Sequence, residues 1–256
     1  MHPKFHSLRA PSLLACLVAC LGAASPGVVP PAKSTRLLEP SLHLAARTAA
    51  TPDVALTFDA CMGKVDHRIL DMLVAEKIPA TLFVTGRWLR HNPEALGVLL
   101  AHPELFELED HGANHVPAVD RPIRIYGIEA AGSPEAVAAE VAGGADAIVK
   151  AGAPQPHWFR GATAKYSAQS IAQIEAMGYK IAGFSVNGDG GSLLGETGTA
   201  RRFASAADGD VIIAHINQPD HKAGNGVVAG VLGLKKRGFH FVLLRDQDKT
   251  GAMAGH

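Results

Sequence analysis

"DVALTFD", residues 53–59, followed by "ACMGKVD", residues 60–66, is the stretch around which the rest of the chain falls into order. The first half is a short apolar and β-branched run, the pattern of a buried strand, and it ends on the carboxylate of Asp59. The second half brings a small residue, a cysteine and a glycine before Asp66, after which Ile69, Leu70, Leu73 and Val74 recur on one helical stripe. Strand, loop and helix make one βα unit. Asp66 sits where a helix N-cap belongs, which leaves Asp59 as a carboxylate at the C-terminal end of a strand.

Six further runs repeat the strand pattern: "PATLFVT" (79–85), "ELFELE" (104–109), "HWFR" (157–160), "KIAGFSV" (180–186), "DVIIAHI" (210–216) and "FHFVLL" (239–244). Between them lie helical patterns, with Val137, Val141, Ile148 and Val149 on one stripe and Ile171 with Ile174 on another. Ser133 before Pro134 marks a helix start, and Gly178 and Gly238 stand where helices end. Strands alternating with helices predict an α/β fold with a largely parallel sheet. On that map Asp59, His111 with His115, Arg160, Asn187 with Asp189, and His215 all fall at or just past the C-terminal ends of different strands, where closed or curved βα sheets carry their chemistry. A single Asp or His there would read as a cap or a satisfied core group. Five strands ending this way point to a site.

At 256 residues, 47% hydrophobic and 19% charged, the chain can bury a substantial core. Lys and Arg together number 24, as do Asp and Glu, so no net field attracts a polyanion, which argues against nucleic acid as a partner and suits a neutral substrate. The first segment differs in character: Lys4 and Arg9 precede "SLLACLVACLGAAS", an apolar stretch too short to span a bilayer, read as an export signal over 1–24. "LVAC" (17–20) also resembles a lipobox, which would place a lipid anchor on Cys20; cleavage near Ala24 is the alternative. Residues 25–51, rich in Pro and Ala, read as a linker, 52–245 as the folded domain, and 246–256 as a flexible tail. With two of the three cysteines in the export segment, Cys61 has no partner for a disulfide inside the domain.

The polar residues suggest a reaction. In "HGANH", His111 and His115 can turn both imidazoles to one point on a single helical turn or tight loop, as a divalent cation requires, although with 13 His in the chain the spacing alone is weak. Gly112 occupies the place where the HExxH of zinc proteases carries its base, so any base comes from elsewhere. Asp59 fits that role, with Arg160 holding its carboxylate ionised and oriented, and His215 can protonate a leaving group. Such an acid and base on either side of a cation-activated water would hydrolyse an amide or ester.

The order of these motifs carries a resemblance. "LTFDA", "RILDMLVAEKIPATLFVTG", "HGANH", "FRGATAKYS", "FSVNGDGG" and "DVIIAHINQP" together resemble the polysaccharide deacetylases with NodB homology, over Asp53 to Leu244. The resemblance implies a distorted (β/α)7 barrel in one domain, and a metal-dependent hydrolase removing acetyl groups from a glycan. It implies Asp59 as catalytic base, His215 as catalytic acid, Arg160 as the residue orienting the base, and Asn187 or Asp189 as the support of that arginine. His111 and His115 would be metal ligands, with Asp59 beside them, the metal being zinc or cobalt. Backbone N–H groups near Ala162 and Thr163 would face the developing oxyanion, and Ile213 would wall the acetyl pocket. An exported protein of this kind would act in the periplasm or outside the cell.

The chain also departs from the family. The usual second aspartate of the first motif is Ala60, whose methyl cannot bind a cation. Asp59 itself, Cys61 or Asp66, or waters would have to complete the site, or the metal would be absent. The altered motif leaves open a non-sugar amide as substrate or a carbohydrate-binding pseudoenzyme, against which Asp59, Arg160 and His215 together argue. Cys61 as a soft ligand would favour zinc, while a buried inert thiol is the other reading. Trp88, Trp158, Tyr126 and Tyr166 are the rings available to a sugar, with core packing the expectation for Trp158. The insertion at 116–132 is expected to overhang the site.

Overall fold

The computed structural model describes residues 36–46 and 51–247, together with the first residue. The export segment, Cys20 and residues 248–256 of the tail lie outside them. Apart from the first residue, the described residues belong to the compact unit from Ser34 to His256. Its strands are β1 (Asp53–Ala60), β2 (Ala80–Val84), β3 (Phe106–Asp110), β4 (Arg124–Ile125), β5 (Ile128–Glu129), β6 (Trp158–Phe159), β7 (Lys180–Ile181), β8 (Val186–Asn187), β9 (Asp210–His215) and β10 (His240–Val242). The helices are α1 (His67–Ala75), α2 (Gly86–His91), α3 (Pro93–Ala101), α4 (Pro134–Lys150), α5 (Ala168–Ala176), α6 (Gly195–Ala204), α7 (Ala223–Lys236) and α8 (Leu244–Gln247).

All seven expected strands form. Those of the main sheet pair in parallel in the order β7-β6-β3-β2-β1-β9-β8, with β10 beside the first residues of β1. The expected strand at 180–186 breaks in two, and its halves form the two edges of the curled sheet. β7 pairs with β6 at one end of the sheet and β8 with β9 at the other, so residues 182–185 bridge the two edges. The carbonyls of Ala182 and Gly183 then turn to the Arg160 guanidinium instead of joining a ladder. The fold is the expected α/β, distorted (β/α)7 barrel.

Every residue of β1, β2 and β3 is buried, as strands covered on both faces should be. Their alternation is nonetheless plain in what each face meets. Val54, Leu56, Phe58 and Ala60 look outward into the large cluster with Ile69, Leu70 and Leu73 of α1. Ala55 and Phe83 look inward with Trp158, Ala182, Val211 and Val242. Leu42 and Leu44 belong to this inner cluster, so part of the stretch expected as a linker is built into the barrel, anchored by bridges from Leu38 to Tyr166 and from His43 to Asp210.

The helix signals act as expected. Ser133 accepts from the Ala136 N–H at the start of α4, and Gly178 and Gly238 follow α5 and α7 with φ of 94° and 82°. Val137, Val141 and Ile148 of the α4 stripe are buried, whereas Val149, placed with them by sequence, is exposed. Among the described residues no helix is long and apolar enough to cross a membrane.

Candidate active site

Parallel pairing in register builds the centre. Asp59 at the end of β1 stands opposite His215 at the end of β9, and opposite Phe83 on its other side. Two residues 156 apart in sequence thus become neighbours on one inward face at the C-terminal mouth of the barrel. Arg160, just past β6, is completely buried and reaches across the barrel: Nη1 donates to Asp59 Oδ1 at 3.0 Å and to Thr57 Oγ1 at 2.9 Å, and its Cζ lies 4.2 Å from the Phe83 ring centre. With Nε and Nη2 on the carbonyls of Ala182 and Gly183 at 3.2 and 3.0 Å, the guanidinium is locked in place.

Burial by itself would push the Asp59 carboxyl up, but His111, Arg160 and His215 outweigh it and hold its pKa below the ordinary value. The expected base is therefore ionised. His215 is treated in the opposite sense: burial would lower its pKa, and Asp189 and Cys61 raise it well above the usual imidazole value. Asp189 accepts from the His215 backbone N–H at 2.7 Å and lies 3.1 Å from its Nδ1. This corrects the expectation that the carboxylate near 187–189 supports Arg160. Asp189 supports the acid, while Arg160 is braced by main-chain carbonyls and Thr57. Asn187 caps its own turn, accepting from the Gly190 N–H at 2.8 Å.

"HGANH" forms a loop, not a helical turn. Gly112 has φ 88°, and a Cβ there would lie 2.4 Å from Glu140 Oε1. That oxygen accepts from the N–H groups of Asn114 and Val116 at 2.9 and 3.0 Å, so a carboxylate of α4 ties down the loop that presents the two histidines. His111 donates from Nδ1 to the Arg160 carbonyl, which leaves Nε2 facing the cleft, 3.4 Å from Cys61 Sγ and 3.7 Å from Asp59 Oδ2. Nδ1 of His115 is buried and has no partner. One donor atom from each of Cys61, His111 and His115 lies within 4.8 Å of the others. Burial would lower the His111 pKa, yet Asp59 and Cys61 raise it to about 9; the same imidazoles hold the Cys61 thiol well below its ordinary value despite its burial. Two imidazoles and a sulfur with donor atoms within 4.8 Å of one another, beside a carboxylate, form a donor set that fits a divalent cation. Asp66 takes no part: it caps α1 and is gripped by Arg68 at 2.6 Å.

These groups open into a cleft of about 550 Å³. Thr163, with φ 69°, and Ile213 line it as the sequence suggested, Ala164 lines it in place of the buried Ala162, and the hairpin β4–β5 overhangs it through Tyr126 and Ile128. Of the four rings considered for a sugar, Trp88, Trp158 and Tyr166 are buried and only Tyr126, 77% exposed, is free to meet a ligand. Sequence reasoning missed Glu140, whose role depends on the Gly112 turn, and Glu39, which reaches the cleft from the segment read as linker.

The family model for polysaccharide deacetylase matches residues 46–182. The chain belongs to the polysaccharide deacetylase family. Among curated proteins none matches the sequence. Solved structures with the same fold include a peptidoglycan deacetylase of Bacillus subtilis, at 20% identity, a TM-score of 0.63, and coverage of 78% of this chain and 91% of that one. The carbohydrate-esterase domain of a multidomain xylanase from the hindgut metagenome of Trinervitermes trinervoides has 19% identity, a TM-score of 0.64, and coverage of 78% and 91%. A family 4 pseudoenzyme of Bacillus anthracis, at 16% identity and a TM-score of 0.62, is covered over 66% of its length by 77% of this chain. As a family member this deacetylase is a hydrolase.

Proposed function

We propose that the protein is an exported, metal-dependent hydrolase that removes N-acetyl or O-acetyl groups from a glycan polymer or oligosaccharide, with zinc or cobalt as the metal. The observation that carries this is the opposition of two differently tuned groups at one cleft: an ionised carboxylate, Asp59 on Arg160, beside a proton-bearing imidazole, His215 on Asp189. Unlike pKa shifts at neighbouring groups are the mark of an acid and base pair. A cation held by His111 and His115 with a third donor would supply Lewis acidity toward the acetyl carbonyl and its attacking water.

The chain's own residues account for the proton movements. Asp59 takes a proton as the water oxygen bonds to the acetyl carbon, and Arg160 keeps that carboxylate oriented. His215, its Nδ1 engaged by Asp189, gives a proton to the sugar nitrogen or oxygen as the carbon–nitrogen or carbon–oxygen bond breaks. Ile213 and the Thr163 turn shape the place for the acetyl group, and Tyr126 offers a face for a sugar ring. Export to the periplasm or outside the cell rests on residues 1–24, with anchoring through Cys20 as the variant. A small non-sugar amide is a second reading, favoured by the apolar side chains Met62, Phe184, Leu193 and Ile128 around the cleft.

The deciding experiment measures acetate release from N-acetylglucosamine oligomers and from acetylated xylan, after chelation and after zinc or cobalt is restored. Release that returns with metal supports the proposal. Silence on both glycans, with turnover of small acetylated amides, would replace it by the second reading.

A further inference from the structure

We propose that Cys61 is the third protein ligand of the metal, so that this site binds its cation through one sulfur and two imidazole nitrogens, and Asp59 is left free to act as the base. The inference rests on the metal-dependent reading above and concerns the position that departs from the family pattern. Ala60 lies on β1 with its side chain among the outward-facing cluster, whereas Cys61, the first residue past the strand, lines the cleft together with Asp59. The donor lost at position 60 is therefore recovered one step later on the face that looks into the cleft.

Three observations converge on this assignment. The first is distance: a tetrahedral cation with metal–sulfur near 2.3 Å and metal–nitrogen near 2.0–2.1 Å separates sulfur from nitrogen by about 3.6 Å, and Cys61 Sγ lies 3.4 Å from His111 Nε2. Secondly, the donors are prepared. His111 is fixed by its Nδ1–H on the Arg160 carbonyl, the outer support by which metal-binding histidines are oriented, and His115 keeps a buried nitrogen without a partner. The third is a comparison with the rivals: Asp59 Oδ1 is taken by Arg160 and its Oδ2, 3.7 Å from His111 Nε2, stands outside the trio formed with Cys61, while Asp66 is bound to Arg68 and the first turn of α1.

A thiolate donor changes which ions the site prefers. Sulfur and imidazole select zinc and cobalt and disfavour magnesium, calcium and manganese, whose ligands are oxygens. It also separates coordination from proton transfer: the group that holds the ion and the group that takes the proton are two residues apart and have different chemistry. Cys61 is 8% exposed, so without the ion its sulfur can still be reached slowly by a small alkylating reagent.

The test uses the full-length protein stripped by chelator and loaded with cobalt(II) alone. A sulfur-to-cobalt charge-transfer band in the near ultraviolet is expected in the wild type and is lost in Cys61→Ser and Cys61→Asp, each checked for folding by circular dichroism. Since even an outer-shell partner is worth about 10–100-fold in metal affinity, Cys61→Ala should weaken zinc binding by more than about 100-fold. In the wild type, zinc should protect Cys61 from iodoacetamide, read by mass spectrometry. Absence of the band in cobalt-loaded wild type, its survival in Cys61→Ser, or failure of cobalt to bind would overturn the assignment. Acetate release measured on the same samples keeps the two readings apart. Release without the band removes the thiolate and leaves the deacetylase; the band without release leaves the thiolate and removes the substrate.

Discussion

Asp59 and Glu109 lie on the same inward face of the barrel with Phe83 between them in register, at 4% and 2% exposure, yet burial has opposite outcomes for them. Asp59, at the mouth, faces Arg160, His111 and His215, and their charge outweighs desolvation, so it stays ionised. For Glu109, further round the barrel, burial and the neighbouring Glu107 raise the carboxyl to about 9, while the N–H groups of His157 and Trp158, at 2.8 and 2.7 Å, pull only weakly the other way. Burial makes a carboxylate chemically useful only where the fold supplies the opposing charge. Elsewhere it makes a neutral hydrogen-bonding group that holds strands together.

The two carboxyls also link to pH in opposite directions. Asp59, with a folded pKa below its unfolded one, contributes stability at pH above the ordinary carboxylate range, and that contribution is lost as the pH falls through its folded pKa. Glu109, with a raised folded pKa, contributes stability that is complete below 4.5 and is lost as the pH rises towards 9.

The largest effect should come from Asp59→Asn, which lowers kcat for acetate release by about 10²–10⁴-fold while circular dichroism stays native. An equal loss in Glu109→Gln would break the distinction drawn between them. Next, Arg160→Met should lower the free energy of unfolding in urea by about 3–5 kcal/mol, because it strands a buried charge; adding Asp59→Asn to it should restore part of the loss. Asp189→Asn should act through His215. Asp189 holds the imidazole's pKa up against burial, so removing it lowers that pKa, and the alkaline limb of the pH–kcat profile moves to lower pH. An unmoved limb would mean that Asp189 only caps the loop. The smallest effect belongs to Glu109→Gln, whose amide oxygen can still accept from His157 and Trp158. Its stability should match the wild type within about 1 kcal/mol near pH 5, with the gap opening in the variant's favour towards pH 9.

Much of this architecture was legible because it follows local rules. Strand runs, the Ser133 and Asp66 caps and the glycine stops depend on neighbouring residues, and local pattern alone places Asp59, His111, His115, Arg160 and His215 at strand ends. Features that depend on distant chain were not legible. In α7, "AGNGVVAGVLGLKK", a Cβ at Gly226 would lie 2.3 Å from the Glu196 carbonyl oxygen and one at Gly230 2.4 Å from Phe203, both of α6, so these two glycines serve a close helix approach that only the neighbouring helix reveals. Leu42 and Leu44 sit in a Pro- and Ala-rich stretch without periodicity, and only the gap they fill between distant strands makes them core.

By itself the sequence determined which residue types stand at the mouth of the barrel, since strand ends and side-chain parity are properties of a few consecutive residues. The tertiary structure alone decided the partnerships. It gave Asp189 to His215 instead of Arg160, turned two carbonyls of a broken strand onto the guanidinium, and brought the Cys61 sulfur to the histidines. Each of those pairings joins segments far apart in the chain, and the register between strands, which no local pattern encodes, sets who meets whom.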